Sequence, residues 1–297
     1  MNATIHMADF ETTVYEGQTN TEVWAAASVE IYTEDVLIFH SIGQLFSYYK
    51  ALPGNQIVYF HNLKFDGAFW IDYLIKELKF TQAYVITSTE PFSCYWMKNN
   101  EMPNNSFKYS VANKGQWYRI IIKVKNKIIE IRDSLKLLPF SVAQIGNSFK
   151  TKHKKLNMEY NGLRYAGCEI TRKEQKYIAN DVLVVKEALE IMFEEGHKKL
   201  TIGSCCLSEF RKGYDKTDYR DFFPNLYEIG LNEKTHGYKT AGDFIQKSYR
   251  GGWCYYVKGK EGKIYRNGVT ADVNSLYPSV MHSESGNYYP VGKPCFW

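Results

Sequence analysis

The 297 residues carry 37 Lys and Arg against 32 Asp and Glu, a net charge of +5, and are 44% hydrophobic and 16% aromatic. That composition is globular and long enough for one large core or two smaller ones, which excludes a disordered or fibrous chain. No 18 apolar residues follow one another and no basic segment leads into an apolar run at the start, so we expect a soluble, unprocessed protein with no membrane partner.

In chain order, "TIHMADF" (4–10) and "QIVYFHN" (56–62) read as short buried strands. Between them, "TEVWAAASVEIY" and "DVLIFHS" read as two further strands, followed by a short helix that ends before Pro53-Gly54. "FDGAFWIDYLIKEL" spaces Phe65, Phe69, Leu74 and Leu78 along a helix face, with Gly67 weakening the first turn. "KNNEMPNNS" (98–106) has loop composition, and "QWYRIIIKVKNKIIEIRD" (116–133) alternates on both sides of a Lys-Asn-Lys turn, a hairpin pattern. Thr171-Arg-Lys-Glu174 has the capping-box spacing of a long helix ending near Gly196, with Ile178, Val182, Val185 and Leu189 at core spacing. A second section begins near residue 200 and includes a strand-hairpin pattern around "KGKEGK"; its aromatic end "PCFW" reads as a section that continues elsewhere. Six cysteines without a CxxC pair point to a reducing compartment, no zinc, and ordinary packing for Cys205-Cys206.

Lysines gather at 123, 125 and 127, at 150, 152, 154 and 155, at 198 and 199, and at 258, 260 and 263. Single clusters of this kind are commonly solvated faces. Interleaved with 24 tyrosines, four of them favour a phosphate-bearing ligand, since cations hold a nucleic-acid backbone and aromatic faces stack bases.

The acids are more specific. Strand alternation puts Asp9 and Glu11 on one face, in line with Ile5 and Met7. A D-x-E on a strand also occurs as a plain edge pair. At the end of a buried row, however, two like charges repel unless a cation lies between them, and oxygen ligands suit Mg²⁺ or Mn²⁺. Asp66 follows a strand at the start of a helix, where an acid also simply favours the helix dipole; Asn62 and Phe65 beside it offer an amide and an aromatic face. Tyr177 and Asp181 stand one turn apart on the long helix. Four acids and a phenol suit two divalent ions about 3.5–4 Å apart in phosphodiester hydrolysis.

"DFETT", "YFHNLKFDGAF" and "YIANDVLVVKEAL" resemble the three exonuclease motifs (DxE, NxxxD-type and YxxxD) of the DnaQ-like 3′→5′ exonuclease domain. Their wording is most similar to the protein-primed family B DNA polymerases of small tailed bacteriophages. "YRGG" (249–252) resembles the YxGG motif that joins exonuclease and polymerase regions there, and "DVNSLYP" (272–278) resembles polymerase motif A. The resemblance implies an RNase H-like α/β exonuclease domain with a mixed sheet over 1–200, then the start of a polymerase palm over 201–297. It implies a DNA polymerase with 3′→5′ exonuclease activity that acts in the host cytoplasm.

Carried over by residue, the resemblance makes Asp9, Glu11, Asp66 and Asp181 ligands of two Mg²⁺ or Mn²⁺ ions or their close supports, with Tyr177 assisting and Lys155 stabilising phosphate charge. Thr12, Asn62, Phe65, Ser134, Leu135 and Tyr160 match positions that hold the single-stranded 3′ end, and His61 one that touches a terminal protein primer. Asp272 and the Val273 carbonyl would bind polymerase metals; Ser275, Leu276 and Tyr277 would meet the nucleotide, with Tyr277 the gate against ribose. Tyr249, Arg250, Gly251 and Gly252 would contact template. The family's motif B helix and motif C D-T-D do not stand in these 297 residues, so the chain reads as one half of a split polymerase, a truncated product, or a chain retained for exonuclease work; the "PCFW" end and motif A favour the first, with synthesis expected only with a second polypeptide that carries motifs B and C. The competing readings are a stand-alone DnaQ-like nuclease acting on RNA, and a non-catalytic module binding DNA or a terminal protein.

Overall fold

The computed structural model describes residues 3–13, 15–90, 92–158, 163–252 and 254–296. It divides into two compact units, Met1–Leu207 and Ser208–Trp297.

The first unit is built on one mixed sheet. Its strands in chain order are β1 (Thr4–Thr12), β2 (Val23–Glu30), β3 (Leu37–Phe39), β4 (Gln56–Phe60), β5 (Thr81–Gln82), β8 (Ser106–Ala112), β9 (Gln116–Val124) and β10 (Lys127–Asp133). Across the sheet they run β3-β2-β1-β4-β10-β9-β8-β5, while β6 (Tyr84–Thr89) and β7 (Phe92–Trp96) form a separate ribbon. β1, β4 and β10 are mutually parallel and the flanking β2 and β9 antiparallel. This is the mixed sheet expected of an RNase H-like domain.

Strand alternation decides what each face meets. Ile5, Met7 and Tyr59 lie under α4 (Arg172–Glu194), whose Ile178, Val182, Val185 and Leu189 are buried on them. Ala8, Phe10, Val58 and Phe60 face the other way, onto Phe46 and Tyr49 of α1 (Ile42–Ala51) and Trp70 of α2 (Leu63–Asp72). Each Val, Leu, Ile, Phe or Met among them, where fully buried, contributes about 1.5–3 kcal/mol. α4 opens with the reciprocal Thr171–Glu174 box, and beyond its end Gly196 takes φ +89°, the left-handed stop that glycine allows. The hairpin turns on Lys125 and Asn126, at φ 48° and 59°, the backbone of a two-residue type I′ loop.

Three details differ from the sequence reading. The buried residues of α2 are Leu63, Asp66, Gly67 and Trp70; Phe65 is 49% exposed and pairs with half-buried Phe69 at the surface. Strands β5 to β8 were not anticipated, because the β6–β7 ribbon exposes nearly every residue and so carries no buried period. The hairpin around "KGKEGK" is absent: among the described residues 254–275 there are turns but no strand, and all are exposed, so no apolar face holds a pairing register.

Gly67 has a steric reason to be in a helix. A Cβ there would lie 2.8 Å from two ring carbons of Trp117. Overpacking of this kind costs about 1–3 kcal/mol, against about 1 kcal/mol returned by alanine's helix propensity. Gly67→Ala is therefore expected to lower the urea midpoint in the wild-type background. In a Trp117→Ala background the same change raises it, because only the propensity gain remains.

In the second unit, α5 (Ile202–Arg211) enters from the first unit, followed by α6 (Lys216–Phe222), α7 (Glu233–His236), α8 (Ala241–Gln246) and α9 (Leu276–Met281). All six cysteines are free; Cys205 is buried and Cys206 exposed. Among the described residues no helix is long and apolar enough to cross a membrane.

Candidate active site

β1 and β4 pair only as far as Met7↔Tyr59. Beyond that point β1 continues to Thr12 while the chain leaves β4 through His61-Asn62 into α2, which opens a crevice at the carboxyl ends of two parallel strands. Asp9 and Glu11 extend the Ile5-Met7 row into it and meet Asp181 of α4, one oxygen from each carboxylate lying within 4.8 Å of the others. Asp66, on the first turn of α2, is only 3% exposed.

The electrostatics are those of an acid pocket short of positive charge. Burial first, then the charges of Asp66, Glu11 and Asp181, holds the Asp9 carboxyl well above its ordinary range. Burial pushes Asp66 up to about 8 against the pull of its own backbone N–H, and Asp133 and Glu11 add to the rise. Asp181 is also raised by burial, while Lys155 and Tyr177 pull it back. Asp66 Oδ1 and Asp181 Oδ1 are buried without a hydrogen-bond partner. A hard, oxygen-seeking divalent cation fits this donor set, since it satisfies orphaned oxygens and offsets the repulsion together.

Lys155 Nζ donates to Tyr177 Oη at 2.8 Å and to Asp181 Oδ2, and lies 4.6 Å from the Tyr177 ring centre. Burial alone would lower this ammonium, but its bonds to Asp181 and Tyr177 outweigh that and raise it. The adjacent Lys154 points elsewhere, donating to the Gly146 carbonyl.

The other residues singled out in this unit divide into a rim and a support. Asn62, in the left-handed region at φ 71°, and Phe65 are exposed; Thr12 and Leu135 are half-buried. Ser134 is fully buried, with its hydroxyl between the Phe60 carbonyl (3.1 Å) and His61 Nδ1 (2.9 Å), so its side chain is not on the rim. His61 Nε2 donates to the Phe140 carbonyl at 2.8 Å, so both ring nitrogens are engaged within the chain, and burial holds the imidazole below its usual value. Tyr160 lies outside the described residues.

Sequence reasoning missed Asp133. Its buried Oδ1 accepts the N–H groups of Asn62 (3.1 Å), Leu63 (3.2 Å) and Leu135 (3.0 Å), pinning the start of α2, and hence Asp66, to the end of β10. The signal was present: an acid ends a strand that alternates like β4.

In the second unit the motif residues are not drawn into a site. Tyr249 and Tyr277 are 81% and 70% exposed, and Asp272, Val273, Arg250, Gly251 and Gly252 are exposed as well. Ser275, at φ 52°, precedes α9, and the Leu276 N–H donates to the Val273 carbonyl at 3.2 Å. Among the described residues, the only group of three or more potential ligands is Asp9, Glu11 and Asp181.

Comparison with known proteins identifies the family. The model of DNA polymerase type B, organellar and viral, matches residues 49–169 and 164–297. The chain belongs to that family. It is 32% identical over 300 residues to the DNA polymerase of Bacillus phage M2, covering 99% of this chain and 46% of that one. With the DNA polymerase of Bacillus phage phi29 it shares 32% over 297 residues, 98% of this chain and 45% of that one. Among solved structures, phi29 DNA polymerase complexed with single-stranded DNA superposes with a TM-score of 0.68 at 28% identity, covering 86% of this chain and 41% of that one. This type B polymerase chain thus spans about half the length of the relatives it matches and resembles the N-terminal half of the phi29-type, protein-primed enzymes.

Proposed function

We propose that the first unit removes nucleotides from the 3′ end of DNA by hydrolysis, as the editing part of a type B polymerase. The observation that carries this is the convergence of Asp9, Glu11 and Asp181, with buried Asp66 coupled to them by charge. Asp9, Glu11, Asp66 and Asp181 would hold two Mg²⁺ or Mn²⁺ ions. When bound, these supply Lewis acidity toward the phosphodiester and toward the attacking water. Lys155 keeps its ammonium charged beside Asp181 and offers it to the developing phosphate charge. Tyr177, fixed by Lys155, orients the water or the scissile phosphate through its hydroxyl. Thr12, Asn62, Phe65, Leu135 and Tyr160 hold the unpaired strand, with Phe65 offering a face for base stacking. Ser134 acts from beneath through His61 and Phe60, and His61 meets a terminal protein, if one primes, only with its ring edge.

The second unit contributes motif A to synthesis: Asp272 and the Val273 carbonyl for metal, Ser275, Leu276 and Tyr277 for the nucleotide, and Tyr249 to Gly252 for template. Among the described residues Asp272 belongs to no group of three potential metal ligands, so synthesis needs motifs B and C from further polypeptide, in the same chain or a second one. The setting is the cytoplasm of a bacterial host.

The test is a 5′-labelled primer on a longer template, with the 297-residue chain and Mg²⁺, with and without dNTPs. Shortening in both lanes is expected. An intact primer in both would overturn the exonuclease reading, and extension would overturn the need for further polypeptide. A parallel RNA strand, degraded faster than DNA, would move the assignment to an RNA nuclease.

A further inference from the structure

Lys155 is carried by irregular backbone. Residues 151–155 belong to no helix or strand, and Lys150 just before them sits at φ 51°. A lysine side chain carries about 2 kcal/mol of rotamer entropy, and a loose loop would spread its ammonium over many positions. Yet Nζ reaches both Tyr177 and Asp181. Something must hold the loop.

The fastenings on the backbone next to Lys155 come from α4 itself. Glu187 Oε2 accepts the His153 backbone N–H at 3.2 Å, and its Oε1 lies 2.5 Å from His153 Nδ1. Asn180 Nδ2 donates to the carbonyl of Lys154, the residue just before Lys155. Asn180 and Glu187 are seven residues apart, two helical turns, and Asp181 lies between them. Inside the loop, the Thr151 hydroxyl bonds the His153 carbonyl at 2.6 Å, and the loop's start is tied to α3 (Val142–Ser148), whose Gly146 carbonyl accepts from the Thr151 N–H at 3.2 Å and from Lys154 Nζ. The remaining outward tie, Lys152 to Glu34 at 2.7 Å, joins side chains 66% and 64% exposed and holds little.

We propose that Glu187 and Asn180 are positioning residues for Lys155: one helix that presents Asp181 also clamps the loop bearing the lysine, so acid and ammonium keep a fixed separation. This rests on the exonuclease reading of Asp181 and Lys155. Neither positioning residue belongs to the Asp9–Glu11–Asp181 group, so their loss leaves the metal site standing.

The experiment is a double-mutant cycle in the full chain on a labelled single strand at saturating Mg²⁺. Lys155→Ala is expected to lower kcat about 100-fold, the scale of removing one preorganised charge-stabilising group. Glu187→Ala is expected to lower it about 10- to 100-fold with KM for the strand unchanged, the scale of misplacing a group by an ångström. Glu187→Gln, whose one amide oxygen still accepts from the His153 backbone N–H while its NH2 can donate to Nδ1 of the neutral ring's other tautomer, restores most of the rate. Asn180→Ala gives an independent second variant. In the Lys155→Ala background Glu187→Ala costs nothing more, because it acts only through that lysine. A Mg²⁺-induced rise in Tm equal to the wild type's shows that the acid site is intact in each variant. Equal losses of rate in both backgrounds, or wild-type kcat in Glu187→Ala, would overturn the proposal while leaving the exonuclease assignment in place. A wild-type chain that degrades nothing overturns both.

Discussion

Asp9→Ala is expected to leave a 5′-labelled single strand at full length while binding it at least as tightly as the wild type does. Asp9 supplies one of three carboxylates gathered within 4.8 Å, and its own carboxyl is raised by burial and by Asp66, Glu11 and Asp181, so it has no role in holding the fold that its charge would serve. Its removal takes a ligand from the cation site, and we expect cleavage to fall by about 10³-fold, the upper end of what losing one charge-stabilising group costs. Binding moves the other way, because one negative charge fewer faces a phosphate backbone. The opposed signs separate catalysis from mere binding. A gel of strand length and fluorescence anisotropy of the same strand, read together, check both. Unchanged cleavage in Asp9→Ala would mean that Asp9 is not catalytic and that the hydrolysis does not run through this acid site.

The parts of the fold that could be read from sequence are those whose side chains divide between two environments. Ile5 and Met7 against Ala8 and Phe10, or Ile178 and Val182 along α4, sit on faces with different partners, and the period survives in the letters. The Thr171–Glu174 box and the Lys125-Asn126 turn are local chemistry and equally legible. The β6–β7 ribbon has no buried face, and the stretch around "KGKEGK" has no pairing partner among the described residues, so pattern failed at both, by omission in one and by excess in the other. The site follows the same rule. Asp9 with Glu11, and Tyr177 with Asp181, share faces by spacing alone. That Asp133 ties α2 to β10, that Ser134 turns inward to His61, and that Glu187 reaches back 34 residues to His153 are facts of tertiary contact with no local period to announce them.

Asp66→Asn is expected to raise the melting temperature of the metal-free chain at pH 9 and to leave it nearly unchanged at pH 4. The folded carboxyl sits at about 8 and its ordinary value is 3.8. Between those values the unfolded chain has released a proton that the folded chain still holds, so folding stability falls as pH rises from about 4 to about 8, and the loss is complete above 8. At 1.36 kcal/mol per unit the window amounts to about 6 kcal/mol. A side chain only 3% exposed gives solvent little room to screen it. For a unit of this size that corresponds to about 10 °C or more in Tm. Asparagine has no charge to bury, so the variant escapes the penalty; it also removes the Asp66 charge that raises Asp9, which adds to the difference in the same direction, while groups remote from Asp66 cancel between the two curves. Mg²⁺ should invert the comparison: a bound cation stabilises the ionised carboxylate, so the wild type gains more Tm from Mg²⁺ at pH 8 than Asp66→Asn does. Parallel curves from pH 4 to 9 in EDTA would show that Asp66 ionises freely in the fold. The repulsion among these acids would then be too weak to require a cation.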